Sequence, residues 1–320
     1  MKYLCVMAAG LLVPGAAAAQ YTFRASTDLV ALTVTVTDSS QQHVPGLAAS
    51  DFVVLEDGVE QPVSFVSVSE LPLDLTLLVD ASASMREKLD TAREAVRGLT
   101  RSLRPGDRAS VIEFQGGLVQ RQPLTSDRAT VEAALDRMTA AGGTALYTAL
   151  YVALAGLDKP ASLPQNLRRQ CVVVLSDGED TSSLLRYEDV LEQARRRMVT
   201  VYTVGLRSPV KLQLARNRPD DAKALAEAEY AMRALARETG GQSFFPLSVA
   251  ELHGIYSAIS TELGQQYAIG YTSRNTRRDG AWRRVMVRVP SRPSARLRTR
   301  AGYFAEPVHM VRSAASAAAR

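Results

Sequence analysis

Three short segments, far apart along the chain, carry oxygen ligands in patterns that suit a hard divalent cation. Asp80-Ala81-Ser82-Ala83-Ser84 follows a run of apolar residues, Gly142-Gly143-Thr144 precedes a helical pattern, and Ser176-Asp177-Gly178-Glu179-Asp180 follows a second apolar run. Alternate residues of an extended segment face the same side, so Asp80, Ser82 and Ser84 can converge on one ion. Gly142 and Gly143 permit close backbone approach, and Thr144 falls at a helix start. Carboxylates and hydroxyls without His or Cys suit Mg²⁺, or Mn²⁺ or Ca²⁺, and argue against Zn²⁺. Each segment alone also reads as ordinary structure: Asp-x-Ser-x-Ser and Gly-Gly-Thr as helix caps, Asp-Gly as a turn. Their order on three strand ends makes Asp80, Ser82, Ser84, Thr144 and Asp177 the candidate metal ligands.

The elements that must position these residues follow from periodicity. Leu75-Thr76-Leu77-Leu78-Val79 and Cys171-Val172-Val173-Val174-Leu175 are continuous apolar strands, as expected where helices cover both faces of a parallel sheet. Helical patterns over 86–103, 126–138, 144–157, 187–198, 220–238 and 249–263 alternate with strands at 109–114 and 199–204, and 118–124 reads as an antiparallel edge. The expected fold class is α/β, a doubly wound, mostly parallel, Rossmann-like sheet. Ligands of such sheets bind at the carboxyl ends of the strands, where the three oxygen-bearing segments lie. On either side the pattern turns to β. Residues 29–37 alternate Val or Leu with Thr or Ala, Asp57-Gly58 marks a turn between strands at 52–56 and 62–68, and Arg283 to Val289 alternates again. The segment 273–281 reads as a polar hairpin loop, and 297–303 as one closing strand. The N- and C-terminal β segments are expected to form one small antiparallel sandwich into which the α/β unit is inserted.

Composition bounds the class. The chain has 320 residues, 46% of them hydrophobic, so it can bury a core and is not disordered throughout. A net charge of +5 with scattered basic residues gives little reason to expect nucleic-acid binding. Met1-Lys2, the apolar stretch to Val13 and the small-residue run Ala16 to Ala19 read as a cleavable signal peptide, with an uncleaved anchor as the alternative. The expected organisation is therefore a signal peptide at 1–19, a β segment at 20–70, the α/β domain at 71–264, a second β segment at 265–304 and a disordered tail at 305–320. The protein is then secreted or periplasmic, without a transmembrane span once the signal is removed. Cys171, alone after cleavage, is expected to be a buried small hydrophobe.

On these residues the sequence resembles the von Willebrand factor A family, whose metal-ion-dependent adhesion site uses D-x-S-x-S, a distant Thr and a distant Asp. Asp80, Ser82, Ser84, Thr144 and Asp177 match all five positions. From Asp28 to Phe304 the chain is also similar to a bacterial group of secreted proteins related to that family. Val34-Thr35-Val36-Thr37-Asp38, the segment Asp51 to Gly58, and Tyr267 to Tyr271 with Gly302-Tyr303 carry that likeness. The resemblance implies that Ser82, Ser84 and often Thr144 bind the ion directly, with Asp80 and Asp177 acting partly through water. It also implies that an Asp or Glu of a partner protein completes the coordination shell.

The expected function is thus an adhesion or scaffold module, not an enzyme. Aspartyl phosphotransferases need a second Asp two residues after the first, and position 82 is Ser. No Gly-x-Ser-x-Gly elbow or Walker A lysine loop occurs. The alternatives are a structural envelope protein whose ion staples loops, and a metal-assisted hydrolase. Arg195-Arg196-Arg197 reads as a solvated helix C-terminus where cations favour the dipole, and Trp282 as a partly exposed loop residue open to a partner.

Overall fold

Strand β1 (Leu29–Thr37) realises the alternation seen in the sequence, burying Val30, Leu32, Val34 and Val36. Beyond it come β2 (Val53–Glu56), β3 (Val59–Gln61) and β4 (Val63–Val68). The computed structural model describes residues 29–68, 70–157, 167–176, 180–207, 212–213 and 216–305. The expected signal peptide, residues 306–320 of the expected tail, and Asp177 with Gly178 and Glu179 lie outside the described residues.

The α/β unit opens on β5 (Leu73–Asp80), all eight of whose residues are buried. It continues through α1 (Leu89–Arg101), β6 (Arg108–Phe114), β7 (Leu118–Thr125), α2 (Arg128–Asp136), α3 (Leu146–Ala155) and β8 (Arg169–Ser176). Then follow α4 (Tyr187–Arg197), β9 (Thr200–Gly205), α5 (Pro219–Thr239), a two-residue β10 (Ser243–Phe244) and α6 (Leu252–Leu263). The sheet order is β10-β9-β8-β5-β6-β7, parallel except for β7, which runs antiparallel to β6 at the edge. One face packs Leu75, Leu77 and Val79 against α1, α2 and α6; the other packs Leu78, Val172 and Val174 against α3 and α4, with Leu235 of α5. Both layers being covered explains why these strands are apolar without interruption. Short β10, with Ser243 beside Thr203, escapes any periodicity argument.

The chain then returns to the sandwich as β11 (Tyr267–Thr272), β12 (Trp282–Arg288), β13 (Arg296–Arg298) and β14 (Gly302–Phe304). Its sheets are ordered β13-β1-β11-β4 and β14-β12-β2-β3. Because β4 and β11 are hydrogen-bonded neighbours, the α/β unit leaves and rejoins the sandwich at adjacent strands. Segment 273–281 is not a hairpin loop. Strand β11 is already flanked by β1 and β4, so no edge remains for β12, which pairs instead with β2 in the other sheet. The expected single strand 297–303 likewise divides, β13 pairing with β1 and β14 with β12. Ala305 is buried and exchanges backbone hydrogen bonds with Gly280 and Ala281.

Polar contacts join sandwich to α/β unit at the amino ends of the parallel strands. Glu262, in the last turn of α6, accepts hydrogen bonds from Thr35 Oγ1 (2.9 Å), Tyr202 OH (2.6 Å) and Arg298 Nη2 (2.6 Å). Burial and this carboxylate together push the Tyr202 hydroxyl well above its ordinary pKa, so it stays a donor. The arginine run of α4 is only partly solvated, Arg196 being exposed and Arg195 and Arg197 half-buried. Arg195 bonds Glu238 at 2.7 Å and lies over the Trp282 ring, Arg196 lies over Phe304, and Arg197 donates to Ala155 and Leu157 carbonyls at 3.0 Å. Trp282 opens β12 and does not lie in a loop; it is half-buried, with Arg195 over its ring and Phe304 edge-on at a centroid distance of 5.0 Å.

Removing the Glu262 carboxylate strands three donors, so Glu262→Ala is expected to lower unfolding stability by about 3 kcal/mol in urea titrations. Cys171, 1% exposed with its thiol pushed up by burial, should resist thiol reagents until the protein unfolds, read by labelling across the same titration.

Candidate functional site

The site is built outward from the end of β5. Asp80 is fully buried, and its carboxylate is shared: Oδ1 accepts the Ser82 N–H at 2.8 Å, and Oδ2 accepts the Ser176 hydroxyl at 2.6 Å. The first motif is thereby fastened to the carboxyl end of β8, the residue immediately before Asp177. Ser82 is 2% exposed and Ser84 is exposed, with their hydroxyl oxygens 3.0 Å apart. Met85, fully buried just beyond, anchors the short 3₁₀ turn Ala83–Met85, which Ser82 precedes and on which Ser84 sits.

The second loop is tied to the first by backbone. Ala141 N–H donates to Ala81 carbonyl at 2.9 Å, and Ala83 N–H donates to Gly142 carbonyl at 3.0 Å. Gly142 has φ +68°, a left-handed conformation that glycine adopts without strain. A Cβ on Gly143 would stand 2.6 Å from Ser182 Oγ, so a side chain here would have to turn that hydroxyl aside. Gln115 braces the loop from below: its carbonyl accepts the Ala145 N–H at 2.7 Å, and its amide donates to Thr139 carbonyl and to buried Glu113.

Capping accounts for neither Ser82 nor Thr144. Lys88 is the N-cap of α1, well past the motif, and the Ser82 side chain caps nothing in the 3₁₀ turn it precedes. Ala145, not Thr144, is the N-cap of α3, and it supplies no side-chain cap. The helix start is satisfied from a distant segment. Asp180 Oδ2 accepts the Tyr147 N–H at 2.7 Å, and Ser183 Oγ accepts the Thr148 N–H at 2.9 Å. Thr181 and Ser182 donate their backbone N–H groups to the Thr144 carbonyl at 2.9 and 3.0 Å. Thr144 itself is 5% exposed.

The structure thus brings Asp80, Ser82 and Ser84 together on one loop, and ties that loop by backbone to the one bearing Thr144; it places nothing for Asp177. Among the described residues no three His, Cys, Asp or Glu side chains gather to hold a metal. The local donor set is hydroxyl-rich with one buried carboxylate, which fits a hard cation of the magnesium type. Sequence reasoning missed Gln115 and the capping role of the run Asp180-Thr181-Ser182-Ser183. The signal was present in the latter: four capping residues stand in a row, yet the next helix begins only at Tyr187.

Residues 75–179 match the family model described as von Willebrand factor type A domain. The chain is 23% identical over 258 residues to a UPF0353 protein of Mycobacterium marinum, a match covering 75% of each. It is 23% identical over 261 residues to another of Mycobacterium tuberculosis, covering 76% of each. Among solved structures it is similar to a von Willebrand factor type A protein from Catenulispora acidiphila, with TM-score 0.46 and 17% identity. That match spans 76% of this chain and 52% of the other, about half its length. Proximal thread matrix protein 1 of the mussel byssus, solved with a zinc-occupied MIDAS motif, aligns with TM-score 0.49 and 14% identity over 65% of this chain and 50% of that one.

Asp180→Ala removes the donated cap of α3 and should lower stability by about 1–2 kcal/mol, read from the urea midpoint at unchanged slope.

Proposed function

Taking residues 75–179 as a von Willebrand factor type A domain, we propose that the chain is a metal-dependent protein-binding module, not an enzyme. Asp80, Ser82, Ser84, Thr144 and Asp177 would hold a divalent cation, Mg²⁺ by preference with Mn²⁺ or Ca²⁺ as substitutes. The observation that carries this reading is the pair Ser82 and Thr144: two buried hydroxyl residues, one just past the end of β5 and one in the loop before α3, that no helix uses as caps. Beside them Asp80 is a carboxylate buried where the sheet ends, with both oxygens already accepting protein donors. A cation bound mostly by neutral hydroxyls retains positive charge and favours an anionic oxygen as its remaining ligand. The partner is accordingly a protein presenting an Asp or Glu side chain.

The loops that carry these residues are already fastened by backbone hydrogen bonds between Ala81, Ala83, Ala141 and Gly142. That favours a recognition role for the ion over a role as a staple. No described helix is long and apolar enough to cross a membrane, and the N-terminal pattern Met1 to Ala19 supports export to the periplasm or beyond. Residues 20–70 and 265–304 then act as the mount that presents the domain.

Calorimetry should detect saturable binding of Mg²⁺ or Mn²⁺, weakened at least tenfold in Ser84→Ala and Asp177→Ala while their unfolding midpoints hold. Envelope or secreted proteins retained on the immobilised chain in Mg²⁺ should elute with EDTA and fail to bind Asp177→Ala. Metal-independent retention, or no heat with any of the three cations, sinks the proposal.

A further inference from the structure

Away from the metal site, a groove of about 390 Å³ runs between α5 and the sandwich, a size typical of small-ligand sites. Arg233, Arg237, Arg298 and Arg300 line it, and no Asp or Glu does. Two of these cations are matched from outside the groove, Arg298 by Glu262 at 2.6 Å and Arg233 by Glu229 at 3.4 Å. Arg237 is exposed and has no ion pair among the described residues. Arg300 is buried at the corner where the chain passes from β13 to β14. Its Nη2 donates to the Met198 carbonyl, while its Nη1 is buried without a hydrogen-bond partner. Oγ1 of the adjacent Thr299 is in the same state. Folded proteins rarely leave buried polar atoms unsatisfied, and two on consecutive residues of one groove wall call for an acceptor. Burial pushes the Arg300 guanidinium down to about 10.

The remaining wall is apolar. Leu297 and Met286 flank the arginines, and Met286 is 45% exposed, high for so large a side chain. The surrounding segment is strongly basic: residues 273–300 contain Arg at ten positions against the single acidic residue Asp279. Arg298 and Arg300 of that segment line the groove with Arg233 and Arg237 of α5, and four cations at one groove draw anions toward it.

We infer that this groove is a binding site for a phosphate ester, its oxyanion held by Arg237, Arg300 and Thr299 and its apolar body lying against Met286 and Leu297. A tetrahedral phosphate offers several acceptor oxygens in different directions, which suits donors on two separate elements better than the two coplanar oxygens of a carboxylate. The site is independent of the cation proposed above, since it shares no residue with it.

Calorimetric titration of the full chain with phenyl phosphate, at low salt and without divalent metal, is the test. Saturable binding is expected, tighter than for inorganic phosphate and weakened at least tenfold by Arg237→Gln. Arg237 is exposed, so that variant keeps its fold where Arg300→Gln can lose it, and its magnesium titration should match that of the parent. Phosphatidylglycerol vesicles form a second arm: cosedimentation abolished by Arg237→Gln would place the phosphate in a lipid headgroup, and titration by phenyl phosphate alone would place it on a free small molecule. Absence of binding in both arms, or binding that Arg237→Gln leaves unchanged, overturns the inference.

Discussion

A carboxylate buried where a strand ends governs this molecule. Asp80 closes β5, whose eight residues are all buried between two helical layers. An ionised group in such a place is tolerated only when its oxygens find donors. Ser82 supplies one from the next turn, and Ser176 supplies the other from the neighbouring strand. One side chain thereby ties the first motif loop to the ends of the two central parallel strands, which their backbone ladder already pairs. The backbone bonds from Ala81 and Ala83 to the loop at 141–142 extend that order to the segment carrying Thr144.

Rigid strand ends with mobile-length loops above them are a common basis for recognition, because the scaffold holds the loops without constraining their chemistry. Here the division is sharp. The carboxyl ends of the strands bear hydroxyls and a shielded carboxylate, while the amino ends meet the sandwich through Glu262, Thr35, Tyr202 and Arg298. Because β4 and β11 pair, and β5 and α6 continue directly from them, the α/β unit is tethered at two adjacent points. The stacked contacts of Arg195 on Trp282 and Arg196 on Phe304 add a third attachment, so the sandwich is packed against the domain it carries.

That attachment also creates the basic groove. Splitting the last β segment between two sheets forces the chain through a corner at 299–301, and the corner carries Arg300 inward beside α5. A continuous strand over 297–303 would have turned alternate residues to solvent. The corner instead produces a buried cation with one nitrogen on the Met198 carbonyl and another without a partner.

What the sequence determined by itself was everything set within one element. Continuous apolar runs marked β5 and β8 as doubly covered strands, and period-two alternation marked β1 and β12, because burial of each side chain is decided by local geometry once a layer exists. The D-x-S-x-S, Gly-Gly-Thr and Ser-Asp-Gly segments were legible for the same reason, each being a few adjacent residues. Only the tertiary structure decided which strands share an edge. That choice turned 273–281 from a hairpin into a crossover, because β11 had no edge left to give. It likewise decided that Asp180 and Ser183 cap α3 from over thirty residues away, leaving Thr144 without that duty, and that two arginines at a helix end lie over aromatic rings while a third reaches backbone carbonyls. Such contacts depend on where distant segments meet, and no periodicity within a segment encodes its partner.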